Sequence, residues 1–303
     1  MPSPSFSIAA TSPASSIKTS LSSQQSYLNK DAIFVFLCGG TRSVSKPEPV
    51  RDVLIQYARK HFSGFRFFRA EDVFDALKER RKTDLLTLEN QIGDYSDCII
   101  IICESEGAFA ELGAFALSDK LVRQILVVNN EKYKNSHSFI TDGPIARANE
   151  KSKFKPVVYA NFEAVLKSAV DIQTKLQLIQ RTYRRRIPLS TAVDFKAARP
   201  KERLLFLADL IHFFSPLTAS DLANLLQLFY GADIYDLHFD LALMVSLGLI
   251  EKLETNWFRF GLNEATFFYD YDNVKPTALR GSIVRQYFQN DRDRLKYLRP
   301  QPK

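Results

Sequence analysis

The chain predicts an α/β protein: a doubly wound, mostly parallel sheet followed by a second domain of helices with a small hairpin. Three observations carry this prediction. Between residues 29 and 165, apolar runs of strand length alternate with stretches of helical periodicity, and strands separated by helices of that size close by right-handed crossovers into a parallel sheet. The runs Ala32 to Cys38 and Cys98 to Cys103 hold no polar residue but their cysteines, as strands covered on both faces require. Beyond residue 200 the pattern changes to three helices and a pair of short strands. At 303 residues and 46% hydrophobic, the chain is long enough to bury two cores.

Taken in order, residues 1–28 are dense in Ser with Gln and Pro and read as a flexible polar tail. The first strand, Ala32 to Cys38, ends in Gly39-Gly40-Thr41-Arg42, a turn able to offer N–H groups and a guanidinium to a phosphate or sugar. A helix (Val50 to Phe62), an aromatic strand (Phe65 to Phe68) and helical segments (Glu71 to Arg81, Asp84 to Ile92) lead to the central strand, Cys98 to Cys103. A Gly-containing turn then delivers the chain into a helix running to Leu121. The strand Gln124 to Val128, a long polar loop from Asn129 to Lys155 and a last strand, Pro156 to Tyr159, complete the domain at residue 165.

Acids cluster where the central strand ends. Glu104, Glu106 and Glu111 lie within a short turn of it, and the carboxyl edge of a parallel sheet is where ligands bind. Gly107 and Ala108 let a ligand approach the backbone, and the helix start offers unpaired N–H groups.

The pattern Leu85-x-x-x-Glu89-x-x-Ile92-x-x-x-Ser96-Asp97, an apolar strand, then Glu104-Ser105-x-Gly107-x-x-x-Glu111-Leu112-Gly113-Ala114-Phe115 resembles nucleoside deoxyribosyltransferase-like domains. It is more closely similar to the toxic effectors of a class of retrons, which join such a domain to a winged-helix domain. The resemblance implies Glu111 as nucleophile on the sugar anomeric carbon and Asp97 as the group that handles the base. Ser105 stands where the transferase family usually carries a second aspartate. The resemblance to retron effectors implies cleavage of an N-glycosidic bond, with NAD as the leading substrate and no separate cofactor. It further implies that a reverse transcriptase and its multicopy single-stranded DNA, an RNA–DNA hybrid, keep the toxin inactive; the acidic third helix of the second domain reads separately as a surface for protein docking or self-association.

The chemistry is consistent from below. Breaking a C1′–N bond develops an oxocarbenium-like centre, which needs a carboxylate to attack or stabilise it. Glu111 is the first candidate and Glu106 the second, and clustered acids raise one another's pKa so that one can hold a proton. Against this stand plainer roles: Glu106 and Glu111 as helix-start acids favoured by the dipole, Asp97 as a turn cap, Glu89 as helix surface. Gly39, Gly40, Thr41, Arg42, Ser105 and Gly107 are assigned to substrate contact.

Residues 166–200 read as a basic helical bridge carrying Arg181, Arg184, Arg185 and Arg186, either a solvated helix end or a nucleic-acid contact. Residues 201–303 read as a winged helix: helices Glu202 to Phe214, one from Pro216 onward, and Asp233 to Leu247, then a wing pairing Leu253 to Phe260 with Ala265 to Tyr269. The third helix carries Asp233, Asp236 and Asp240, a poor surface for DNA, whereas Arg280, Arg285, Arg292, Arg294, Lys296 and Arg299 of the tail could grip it. The formal charge of +7 fits an anionic partner. Cys38, Cys98 and Cys103 lack metal-ligand spacing and read as buried reduced thiols. No apolar run approaches a membrane span, so the expectation is a cytoplasmic protein without a metal. A metabolic deoxyribosyltransferase and a nucleotide-sensing DNA-binding regulator are the competing readings.

Overall fold

A computed structural model describes residues 7–23, 26–29, 32–41, 47–77, 84–179, 185–186, 189–231, 237–253, 256–261 and 267–298. The chain divides into two compact units, residues 32–181 and residues 1–31 with 182–303. Among the described residues, no helix is long and apolar enough to cross a membrane.

The first unit is built on five parallel strands: β1 (Ile33–Cys38), β2 (Phe65–Phe68), β3 (Cys98–Ile102), β4 (Ile125–Asn130) and β5 (Val158–Ala160). Their order across the sheet is β2-β1-β3-β4-β5. The chain therefore leaves β1 toward one edge, returns, and builds outward on the other side, which makes the gap between β1 and β3 a topological switch point. Alternation along the strands feeds two cores. Ile33, Val35, Leu37, Ile100 and Ile102 pack with Leu54, Ile55 and Ala58 of helix α1 (Val50–His61). The opposite face carries Phe36, stacked on Phe68 and edge-on to Phe115. Helices α2 (Ala70–Leu77), α3 (Leu85–Tyr95) and α4 (Glu106–Leu117) complete the part of the unit that holds the site.

The expected polar loop from Asn129 to Lys155 contains a helical turn, Thr141–Ile145, and helix α5 (Ala146–Lys151). Within these two helical pieces Pro144, Ile145 and Ala148 are buried, too sparse an apolar pattern to announce a helix. The bridge expected at 166–200 is divided. Helix α6 (Ala169–Leu176) buries Ala169, Ile172 and Leu176 in the first unit's core, whereas Arg185–Arg186 form a short strand of the second unit. Arg181 and Arg184 lie outside the described residues, as do the side chains of Arg185 and Arg186.

In the second unit, the described residues 7–23 and 26–28 correct the expected flexible tail. Ser12–Ser22 is a helix whose Thr11 cap accepts the Ala14 N–H. Ala14, Ile17 and Leu21 are buried at spacings of three and four residues, a helical stripe that the Ser-rich composition concealed. Tyr27–Leu28 then pairs antiparallel with both Arg185–Arg186 and Tyr269–Asp270.

The rest of this unit runs α7 (Ala192–Ala197), α8 (Pro200–Phe214), β6 (Leu217–Thr218), α9 (Ala219–Tyr230), α10 (His238–Ser246), β7 (Ile250–Lys252), β8 (Trp257–Phe260) and α11 (Pro276–Asn290). The small sheet has the order β6-β8-β7, antiparallel throughout. The hairpin therefore differs from the expected wing: β8 pairs with the strand before it, through a turn where Asn256 takes a φ of 61°, and Tyr269–Asp270 pairs with the N-terminal strand. Asp233 and Asp236 lie outside the described residues.

Buried polar groups lock the second unit. Asp209 accepts the N–H groups of Phe268 and Tyr269, both at 2.9 Å, and the Tyr271 hydroxyl at 3.0 Å. The basic tail is committed in part. Buried Arg294 donates to Asp221 and Asp291, Arg280 to the Phe213 carbonyl, and the Tyr287 hydroxyl to the Phe214 carbonyl. Lys296 pairs with Asp293, and Tyr297 stacks on Trp257. Packing thus claims Arg280 and Arg294, whereas Arg285, Arg292 and Lys296 are exposed; Arg299 lies outside the described residues.

Candidate active site

A cleft of about 870 Å³ opens at the carboxyl ends of β1 and β3. It lies at the switch point, where the loops leaving neighbouring strands part in opposite directions. Cys38, Gly39, Gly40 and Thr41 line it from the end of β1; Glu104, Ser105, Glu106, Gly107 and Glu111 from the end of β3 and the start of α4; Glu71 from α2; Glu89 from α3. Arg42 lies outside the described residues.

The acids that crowd this edge divide into structural and unspent groups. Glu104 is structural. Helix α1 begins after Pro49, whose side chain caps nothing, and Glu104 reaches across from the end of β3 to accept the N–H groups of Val50 at 2.7 Å and Arg51 at 3.0 Å. The same carboxylate accepts the Gly40 N–H at 2.9 Å. The glycine turn thus binds Glu104, and the N–H expected to reach a phosphate is already used. Glycine is required at position 39 because a Cβ there would stand 2.7 Å from the Arg51 Cβ. Ser105 is the N-cap of α4, accepting the Ala108 N–H at 3.2 Å. Glu106 occupies the first helical turn, where the dipole favours an acid, and is exposed.

Glu111 is different. Gly107 and Glu111 are four residues apart on α4 and both line the cleft. Its Oε2 is buried without a hydrogen-bond partner among the described residues. Burial pushes the Glu111 carboxyl up to about 8, the charge of Glu89 adds in the same direction, and the Cys38 thiol and Arg51 pull it partly back. Burial likewise raises Glu89 to about 7, with Glu71 contributing. Both acids line the one cleft, and the charge of Glu89 acts on Glu111. With both carboxyls raised, the cleft retains a proton near neutral pH.

Asp97 is not part of this site. It precedes β3, at the amino edge of the sheet, where its carboxylate accepts the Phe34 N–H at 2.8 Å. The five residues of β3 separate it from the cleft, roughly 16 Å at 3.3 Å per residue. Glu89 is the other raised carboxyl that lines the cleft. Its signal in the sequence was an acid beside the buried stripe Leu88, Ile92 and Tyr95 of α3. Arg51, buried in the first turn of α1, carries the wrong sign for a helix start. Glu71 offsets that charge at 2.7 Å, and Asp52 at 3.3 Å, which fixes a guanidinium on the cleft wall.

Comparison with known proteins adds the identity. Residues 47–252 match the family described as STM3845 retron effector protein. The chain belongs to this retron effector family. The effector is 29% identical over 262 residues to an Escherichia coli protein named "Retron Ec73 putative ribosyltransferase/DNA-binding protein", an alignment covering 79% of this chain and 80% of that relative. A second Escherichia coli relative, the Ec86 protein named in the same terms, is 35% identical over 153 residues, 49% of the effector and 48% of the relative. The family match takes in Glu71, Glu89 and Glu111 together with the helices that hold them.

Proposed function

We propose that this retron effector is an N-glycosidase that cleaves the C1′–N bond of a nucleotide, with NAD as the leading substrate. The observation that carries the reading is the pair Glu111 and Glu89, half-buried carboxyls raised toward neutrality at the switch point, with one buried Glu111 oxygen left without a partner among the described residues. Once ionised, that oxygen attacks or stabilises C1′ while the C1′–N bond breaks and its electron pair leaves with the base. A nicotinamide ring is cationic in the substrate and departs neutral, so it needs no proton. Water then adds its oxygen to C1′, displacing the Glu111 carboxylate wherever that has bonded there, and yields its proton to the freed carboxylate, giving nicotinamide, ADP-ribose and one proton. A cationic ring in the cleft also lowers the Glu111 pKa, so that binding itself favours the ionised nucleophile.

The name ribosyltransferase carried by both relatives supports chemistry at an anomeric carbon. Water as acceptor, rather than a second base, is our reading. In the second unit, the order helix, strand, helix, helix and hairpin, closed by a three-stranded antiparallel sheet, supports a winged helix. We assign that unit, with Arg181, Arg184, Arg185 and Arg186, to docking on the reverse transcriptase and its multicopy single-stranded DNA, which hold the toxin inactive in the cytoplasm.

The test is to express the effector alone, with Glu111→Gln in parallel, and follow NAD, nicotinamide and nucleotide pools by mass spectrometry over the minutes after induction. Loss of NAD with gain of nicotinamide in the wild type alone is the expected result, and co-expression of the reverse transcriptase with its DNA suppresses it. Unchanged pools in purified protein supplied with NAD would leave a nucleotide-binding regulator as the better reading.

A further inference from the structure

A second and smaller pocket, of about 280 Å³, lies in the same unit and is lined by Phe109, Asn129, Tyr133, Ser136, Ser138, Ile140 and Thr141. It belongs to the carboxyl end of β4, whereas the main cleft belongs to β1 and β3. Helix α4 stands between them. Gly107 and Glu111 line the cleft; Phe109, two residues on from Gly107, is turned by about 200° at 3.6 residues per turn and lines the other pocket.

The small pocket has the makings of a seat for one heteroaromatic ring. Its volume falls just below the roughly 300–1,000 Å³ of sites that take a whole drug-sized ligand. Phe109 and Tyr133 supply aromatic surface, and Asn129 supplies an amide that is 2% exposed. The Asn129 Oδ1 accepts the Asn130 N–H at 2.9 Å, and its Nδ2 has no partner among the described residues. With its oxygen taken by Asn130, Asn129 offers an amide donor on the wall of an aromatic pocket, a match for a ring nitrogen or exocyclic oxygen. Lys132 places its ammonium 4.8 Å from the Tyr133 ring centroid, a cation beside the pocket.

Between the two pockets lies the start of α4. The Ala108 N–H is taken by Ser105, whereas the N–H groups of Glu106 and Gly107 have no partner among the described residues. A helix is roughly 10–12 Å across, a span that two riboses joined by a diphosphate can cross. Resting on the N-glycosidase reading above, we propose that the small pocket seats the second base of a dinucleotide whose first ribose lies at Glu111, with the diphosphate passing over the first turn of α4. The substrate class is then a dinucleotide, and Asn129 and Tyr133 are specificity residues rather than catalytic ones.

The test compares NAD with nicotinamide mononucleotide, which carries the same scissile bond and lacks the second base. Wild-type effector is expected to favour NAD in kcat/KM by roughly ten-fold or more, the worth of one base stacked on an aromatic ring. Tyr133→Ala, at a side chain already 43% exposed and so tolerant of truncation, should raise KM for NAD by about that factor and leave the constants for the mononucleotide unchanged. Asn129→Leu should act in the same direction. Equal use of both substrates by the wild type, or parallel losses on both in the variants, overturns the second-base pocket while leaving the glycosidase standing. If neither compound is cleaved, the glycosidase reading fails, and the pocket is then judged by calorimetric titration with AMP. Binding that Tyr133→Ala weakens about ten-fold supports it, and absence of binding overturns it.

Discussion

Glu111 in the first unit and Asp209 in the second are both buried acids pushed upward by desolvation, to about 8 and about 7. Their surroundings are opposite. Asp209 accepts two backbone N–H groups and a tyrosine hydroxyl, all within 3.0 Å, and ties the segment Phe268–Tyr271 to α8. Glu111 shares its cleft with Glu89 and keeps an oxygen without a partner among the described residues. A buried carboxyl whose partners are all internal is a fastening. One that is desolvated and left unmatched costs stability, and such a cost is characteristic of sites where charge must develop during a reaction. The comparison separates two kinds of buried charge that a list of perturbed acids would merge.

Substitution at the two positions should therefore act in opposite senses. Glu111→Gln is expected to reduce NAD cleavage by roughly 10³-fold or more, because it removes the carboxylate at the anomeric carbon. The same change should stabilise the fold. A carboxyl raised from 4.5 to about 8 binds its proton more tightly folded than unfolded, so its contribution to stability falls as pH rises through that window. The melting temperature of Glu111→Gln should accordingly exceed that of the wild type by more at pH 8 than at pH 5. Asp209→Ala should instead cost about 3 kcal/mol or more in denaturant unfolding, since it strands three buried donors. A stabilised Asp209→Ala would erase the distinction.

Glu89→Gln sharpens the comparison. Removing this second acid should lower cleavage by about 10²-fold and move the midpoint of the pH–rate profile to lower pH, because the Glu89 charge helps to hold the Glu111 carboxyl up. In the wild type, kcat/KM for NAD should rise as pH increases toward about 8, the direction in which the pair gives up its proton. A profile unmoved by Glu89→Gln would make Glu89 a bystander. The smallest effect belongs to Glu104, which also lies on the cleft but holds the starts of the glycine turn and of α1. Glu104→Gln should cost about 1–2 kcal/mol in thermal unfolding through a weakened cap.

Particular residues show how much was legible before folding. Glu111 was legible because a glycine turn after an apolar strand places a nearby helical acid at a sheet edge, whatever the rest of the chain does. Asp97 misled because closeness along the chain conceals direction: a strand carries its two ends to opposite edges of the sheet, and Asp97 and Glu104 lie at opposite ends of β3. Glu89 was visible in the motif without a role, since its approach to Glu111 depends on how α3 packs. The N-terminal helix was hidden because serine dominates its composition, although Ala14, Ile17 and Leu21 keep helical spacing.

What the sequence alone determined is therefore what short-range physics sets: the apolar strands, their alternation with helices, the glycine turn and the helix that presents Glu111. These follow from residue periodicity and turn chemistry within a few positions of one another. The tertiary structure decided which charges are spent and which are left over. Glu104 was given to a helix start some fifty residues away, Arg294 to Asp221, and Asp209 to the segment after β8. Glu111 and Glu89 were left lining one cleft with raised carboxyls. Desolvation and hydrogen-bond satisfaction are properties of the assembled environment, set by whichever distant residues pack alongside, and nothing within a local window of sequence specifies them.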